Sequence, residues 1–269
     1  MRTRITVSPG VELDVVQSGD PTGVPLLLLH GITDSNASMR PLMDALPKGV
    51  RAIAVTQRGH GDSSKPVGPY TSAVMAADAV AVLDRLAVRR AVVFGHSMGS
   101  IVAQRFALAY PDRTAGLILE GAFPGLKGNA AVDAFALEIA DLPVIDATFA
   151  REFQVSTLAR PLPPAFLDLI VAESQKLPAN AFREIIRTQR QEDLTPELPR
   201  IAAPALLVWG DRDAFVPRGD QDRLLAGLRD VRLEVFEGTG HDPHWEEPAR
   251  VGALVADFIA RRVAPVPVP

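Results

Sequence analysis

The segment Gly95-His96-Ser97-Met98-Gly99 sets a serine hydroxyl between two glycines, directly after the apolar run Ala91–Phe94 and at the start of a helical pattern. A serine on so tight a strand-to-helix turn has a strained backbone, and small residues two before and two after let strand and helix approach. The turn lifts the Ser97 hydroxyl clear of the sheet and leaves the Met98 amide free at a helix N-terminus. Given a base, such a hydroxyl attacks a carbonyl carbon. A second chemical feature is His30-Gly31-Ile32, which follows the apolar run Pro25–Leu29. Glycine permits the sharp turn that would aim the Ile32 amide at the same point as that of Met98. The pair would form an oxyanion hole, each donor contributing roughly 2.7–4 kcal/mol of transition-state stabilisation. His30 is a candidate base by type, but a strand-end histidine is read here as supporting the loop by hydrogen bonding.

These residues need a scaffold that brings the ends of separate segments together. Ile5–Val7 and Glu12–Gln17 flank the turn signal Pro9-Gly10 and predict an antiparallel hairpin at a sheet edge. Short apolar runs follow at Pro25–Leu29, Arg51–Val55, Ala91–Phe94, Gly116–Leu119, Ala205–Trp209 and Arg232–Phe236. They alternate with helical patterns at Met39–Leu46, Ser72–Leu86, Met98–Ala109, Gln221–Leu228 and Pro248–Arg261. Repeated strand–helix units predict an α/β fold, with a mostly parallel central sheet covered by helices on both faces. Between Ala122 and Glu197 no buried strand is evident. Helix-like stretches at Ala130–Ala140, Asp146–Phe153, Pro164–Lys176 and Asn180–Gln191 are separated there by prolines. They are read as a helical cap inserted between two late strands, in preference to extra helices packed on the core. The expected division is residues 1–121 and 198–264 for the core, 122–197 for the cap and 265–269 for an extended tail.

Composition narrows the functional classes. The chain has 269 residues, 47% hydrophobic and 22% charged, with a net charge of −4. Its basic residues are scattered, which argues against nucleic acid or an anionic membrane as partner. No cysteine is present, so disulfides and thiolate chemistry are excluded. Neither a signal-like apolar stretch near the N-terminus nor a membrane-length apolar run occurs, and a cytoplasmic location is expected. The five histidines sit in separate loops, so no metal site is expected. No glycine-rich phosphate loop follows the first strand, and no cofactor is expected. Oligomeric state is not legible.

The sequence resembles the α/β-hydrolase fold superfamily, in its capped serine hydrolase and esterase branch. The resemblance rests on His30-Gly31, on Arg58-Gly59-His60-Gly61-Asp62-Ser63, on Gly95–Gly99 and on two C-terminal blocks. In Gly210-Asp211-Arg212-Asp213-Ala214-Phe215-Val216-Pro217 it implies that Asp213 is the acid of a catalytic triad, with Asp211 and Glu120 as competitors. In Gly238-Thr239-Gly240-His241 it implies that His241 is the general base, with His244 as competitor. The chain order Ser97, Asp213, His241 is the one expected for this fold. Family members often carry an aspartate two residues before the arginine of the second block, where this chain has Thr56. Serine rather than aspartate at position 97 disfavours the epoxide hydrolase and haloalkane dehalogenase chemistries of the same fold.

The implied substrate is a small-molecule carboxylic ester or lactone, cleaved through an acyl-enzyme. Phe123, Phe153, His244 and Trp245 are candidate substrate contacts, although Phe123, Phe135, Phe149, Phe153 and Phe166 would also serve as the cap's own core. Arg151, Arg160 and Arg183 are candidates to meet a substrate carboxylate, or are simply solvated. Carbon–carbon bond hydrolysis and cofactor-free haloperoxidase or perhydrolase chemistry use the same triad and stay open. So does a ligand receptor that retains the triad but turns over slowly.

Overall fold

The computed structural model describes residues 1–263, so the expected extended tail at 265–269 lies outside the described residues. The edge hairpin forms from β1 (Arg2–Ser8) and β2 (Val11–Gly19), and the chain reverses at Gly10 with a φ of 75°. Then follow β3 (Val24–Leu29), α1 (Arg40–Ala45), β4 (Val50–Val55), α2 (Ser72–Arg85), β5 (Ala91–His96), α3 (Met98–Ala109) and β6 (Thr114–Glu120). Four helices come next, α4 (Ala130–Glu138), α5 (Ala147–Ser156), α6 (Pro164–Ser174) and α7 (Ala179–Gln189). The chain closes with β7 (Ala205–Gly210), α8 (Arg218–Gly227), β8 (Val231–Phe236), the single turn α9 (Pro243–Glu246) and α10 (Pro248–Arg262).

One eight-stranded sheet runs in the order β1-β2-β4-β3-β5-β6-β7-β8. β1 and β2 are antiparallel, as are β2 and β4, and all later pairings are parallel. The unbroken apolar runs are explained by burial on both faces. Leu27, Leu29, Val93, Leu117 and Leu207 join one core with α2 and α3, through Val82, Leu83, Val102 and Phe106. The alternate residues Leu26, Leu28, Val92, Phe94 and Leu206 join a second core with α1 and α10, through Leu42, Val251, Val255 and Phe258. The two-residue period of a strand thus sorts one run of leucines to opposite sides.

The insertion between β6 and β7 obeys local signals. Asn129 caps α4 and Asp146 caps α5 with side-chain oxygens that accept from amides of the first turn. Pro164 starts α6, where its missing N–H costs nothing. Phe182 of α7 sits edge-on to Phe135, Phe149 and Phe153, with ring centroids 6.0–6.5 Å away. That cluster ties α4, α5 and α7 into one body.

The junction of β5 and α3 leaves no room for side chains at its glycines. A β-carbon on Gly95 would lie 2.2 Å from the Gly99 carbonyl oxygen, and one on Gly99 would lie 2.3 Å from that of Leu29. Both obstacles are backbone, which cannot rotate away. Gly99→Ala is therefore expected to destabilise the fold by about 2–3 kcal/mol or more, read as a lowered midpoint in chemical denaturation. An unchanged midpoint would show that strand and helix are free to separate.

Candidate active site

Ser97 stands alone between β5 and α3 with φ 51° and ψ −116°, a conformation that costs a non-glycine residue about 1–3 kcal/mol. Its amide donates to the Glu120 carbonyl at 3.0 Å and its carbonyl accepts from the Ser100 amide at 2.8 Å, which pins the turn at both ends. Met98 opens α3, and Ile32 follows Gly31 just beyond β3. Neither of their amides has an acceptor among the described residues. Both residues line the cavity that Ser97 lines.

His30 supports the loop beneath Ile32. Its Nε2 accepts from the Gln57 amide at 2.9 Å, so Nδ1 carries the proton and donates to the Gly31 carbonyl at 2.7 Å. Burial, reinforced by neighbouring His60, holds its pKa well below 6.5. With both nitrogens committed it is unsuited to act as a base. The departure at Thr56 is accommodated in the same place: its hydroxyl accepts from the Asn36 amide at 3.0 Å.

His241 meets Asp213 through Nδ1 and Oδ2 at 2.7 Å. The other oxygen of Asp213 accepts from the amides of Phe215 and Val216 at 2.8 and 2.9 Å, which aims the carboxylate at the imidazole. The competing acids are engaged elsewhere. Asp211 accepts from the Gly238 amide at 2.6 Å, and Glu120 pairs with His244. Burial alone would lower the pKa of His241, but the charge and hydrogen bond of Asp213, with Asp242 and Glu120 nearby, push it up to about 9.

His244, a candidate substrate contact by sequence, does not line the cavity. The single turn of α9 starts at Pro243 and swings the ring inward, where it is fully buried against Glu120 and lines no part of the cavity. Burial opposes charging of this ring, yet Glu120 raises its pKa. His96, Asp242 and His244 bring ligand-type atoms within 4.8 Å of one another, a juxtaposition of distant loops that sequence spacing concealed. Neighbouring ligands in a tetrahedral zinc shell lie nearer, about 3.3 Å apart for 2.0 Å bonds. Glu120 holds His244 Nδ1, and His244 Nε2 has no partner among the described residues.

The cavity beside Ser97 has a volume of about 280 Å³. The candidate contacts Phe123, Phe153 and Trp245 line it, and Phe135, Ile186 and Phe215 extend the apolar wall. Asp34, Gln154 and Asp242 also line it and were not singled out from sequence; for Asp242 the available signal was its position next to His241. Gln154 spans from α5 to the core, donating to Thr33, Asp34 and Ser174 at 2.9–3.1 Å. No lysine or arginine lines the cavity among the described residues. Arg151 pairs with Asp168, Arg160 binds the Glu237 and Gly238 carbonyls and Arg183 binds that of Leu142. No helix among the described residues is long and apolar enough to cross a membrane.

A family model described as the alpha/beta hydrolase family matches residues 26–254. The chain belongs to this family. A 2-hydroxy-6-oxononadienedioate/2-hydroxy-6-oxononatrienedioate hydrolase of Paraburkholderia xenovorans is 30% identical, over 93% of this chain and 88% of that protein. An esterase from Exiguobacterium antarcticum superposes with a TM-score of 0.87 at 25% identity, covering 97% of this chain and all of the other. A bromoperoxidase from Bacillus anthracis reaches 0.88 at 20% identity, over 97% of this chain and 100% of that one, and speaks for the fold alone. The chain is a hydrolase by family, and relatives on this scaffold differ in the bonds they act on.

The raised pKa of His241 has a measurable consequence. Its ring protons are expected to titrate near pH 9 by NMR, and at clearly lower pH in Asp213→Asn, where burial is opposed only by Asp242 and Glu120. A folded-state pKa above the unfolded value stabilises the fold fully below about pH 6.5, and that gain is lost as pH rises through 9. Identical titrations in both proteins would contradict the pairing.

Proposed function

We propose that the chain is a serine hydrolase of neutral carboxylic esters or lactones, acting through an acyl-enzyme. The observation that carries this reading is the Asp213–His241 hydrogen bond, set beside the cavity that Ser97 shares with Ile32 and Met98. In the proposed reaction His241 takes the Ser97 proton as Oγ attacks the substrate carbonyl. The Ile32 and Met98 amides hold the oxyanion while Asp213 stabilises the imidazolium. The tetrahedral intermediate collapses with loss of the alcohol, which leaves with the proton from His241. Water then gives its proton to His241 and attacks the acyl carbon, and Ser97 recovers a proton as the acid departs.

Carbon–carbon bond hydrolysis is the reading that the Paraburkholderia relative favours. The substrate in that protein's name is a dioate, and binding such an anion in a buried site calls for a cation or a set of strong donors. Here the polar part of the wall carries Asp34 and Asp242, with no lysine or arginine among the described residues. The wall is otherwise largely aromatic and aliphatic, which suits a neutral group. This contrast supports the ester.

Ser97→Ala is expected to abolish labelling by a fluorophosphonate probe and to cut p-nitrophenyl ester turnover at least about a thousandfold, with the fold preserved by circular dichroism. Labelling of the wild type with negligible turnover over many esters would favour a receptor instead. Within ester pairs of equal length, a terminal carboxylate is expected to lower kcat/KM at least about tenfold. Faster cleavage of a 2-hydroxy-6-oxo dienoate than of any ester would sink the ester reading.

A further inference from the structure

The apolar cavity has one polar corner, and hydrogen-bond acceptors dominate it. His96 donates from Nε2 to the His241 carbonyl at 3.1 Å, with Asp242 Oδ1 also near at 3.2 Å. A neutral imidazole with its proton on Nε2 presents Nδ1 as a bare acceptor. Burial, with His244 and His241 close by, lowers the pKa of His96 well below 6.5 and keeps it in that neutral form. Its Nδ1 has no partner among the described residues, nor has Oδ2 of Asp242. Asp34 spends Oδ1 on the Gln154 amide at 3.1 Å and has no donor on Oδ2 among the described residues.

Two of these atoms, on His96 and Asp34, lie against Gly31. A β-carbon there would lie 2.8 Å from His96 Nδ1 and 3.1 Å from Asp34 Oδ2, so only a glycine lets the two acceptors come this close to the backbone and to each other. Gly31 directly precedes Ile32, the proposed oxyanion donor. Asp34, His96 and Asp242 are each no more than 3% exposed, yet all three line the cavity. Buried acceptors without donors are costly, and a ligand that supplies the donor removes the cost. Burial and then the charge of Asp242 push Asp34 up to about 7, and burial pushes Asp242 up to about 6. The charges of His241 and His244, with Gln154 at Asp34 and Thr157 at Asp242, offset only part of that burial.

We infer that Asp34, His96 and Asp242 form a subsite for a hydrogen-bond donor on the substrate, a hydroxyl or a primary amine within a few bonds of the scissile carbonyl. The inference rests on the ester hydrolase reading and narrows it to hydroxylated or aminated esters. Substrate orientation is set at two points, the carbonyl at Ile32 and Met98 and the donor at the acceptor corner. The aromatic wall receives the rest of the molecule.

The test compares ethyl butanoate with ethyl 3-hydroxybutanoate, ethyl 3-aminobutanoate and 2-hydroxyethyl butanoate, with EDTA present. The wild type is expected to favour at least one hydroxylated or aminated ester about tenfold or more in kcat/KM. The hydroxyl and amine arms separate a neutral donor from a cation. Asp34→Asn and Asp242→Asn should each bring the preference below about threefold, and the ratio within each variant cancels any general loss of activity. Preference for the plain ester in the wild type overturns the subsite, whatever the variants do; so does a preference that survives both substitutions. If no ester is cleaved, fluorophosphonate labelling of Ser97 judges the hydrolase reading separately. The subsite is then read by calorimetry with N-ethyl-3-hydroxybutanamide against N-ethylbutanamide, where equal affinities overturn it.

Discussion

The reversed backbone at Ser97 is the constraint on which the rest of the site depends. A φ of 51° is unfavourable for serine, and the surrounding structure must hold it. Gly95 and Gly99 do so by allowing α3 to come against the ends of β5 and β3, and the Glu120 carbonyl fixes the Ser97 amide from the neighbouring strand. Because β6 supplies that carbonyl, the nucleophile is tied to the strand that leads into the helical insertion. The same turn frees the Met98 amide at a helix N-terminus, so the conformation that exposes the hydroxyl also supplies a donor.

Around that turn the site is divided between an apolar insertion side and an acidic core side. α4, α5 and α7 contribute Val132, Phe135, Phe153 and Ile186 to the cavity, whereas the core contributes Asp34, His96 and Asp242. Gln154 joins the two, since its amide reaches from α5 to Asp34 and Thr33 and also meets Ser174 of α6. A hydrogen-bonded pin of this kind makes the position of the insertion depend on polar contacts at the cavity floor. Substrate groups that compete for those acceptors would act on the insertion as well.

What the sequence made legible follows from the range of the interactions. The alternation of apolar runs and helical patterns is local, and it placed the strands, the edge hairpin and the four inserted helices to within a few residues. Glycine-flanked motifs carried Ser97 and His241 because steric demand at a turn is also local. Asp211 and Asp213 are equivalent by type, and their roles separate only through the partners Gly238 and His241, which lie 27 and 28 residues away. The acceptor corner joins positions still farther apart. His96 meets the His241 carbonyl across 145 residues, and Gln154 meets Asp34 across 120. No periodicity signals such convergence. His244 was misplaced for a related reason, because closeness to His241 in sequence does not reveal the turn of α9 that carries it to Glu120.

The acidic layer bears on how His241 would work. In the proposed reaction the imidazolium forms as the oxyanion forms, so fixed negative charge behind the ring stabilises the state in which His241 is charged. Asp213 acts through direct contact, and Asp242 and Glu120 act through space in the same direction. The same field binds a proton to the resting base, which must lose it before it can accept one from Ser97. Desolvation is the counterweight, since burial disfavours the cation and limits how far the pKa rises. A substrate that fills the cavity excludes more water and strengthens both effects. A donor placed on Asp34 or Asp242 would partly neutralise the acidic layer, and the resting proton would be held less tightly when such a substrate is bound. The polar corner would then serve to recognise substrate and also to set the basicity of His241 in the occupied site.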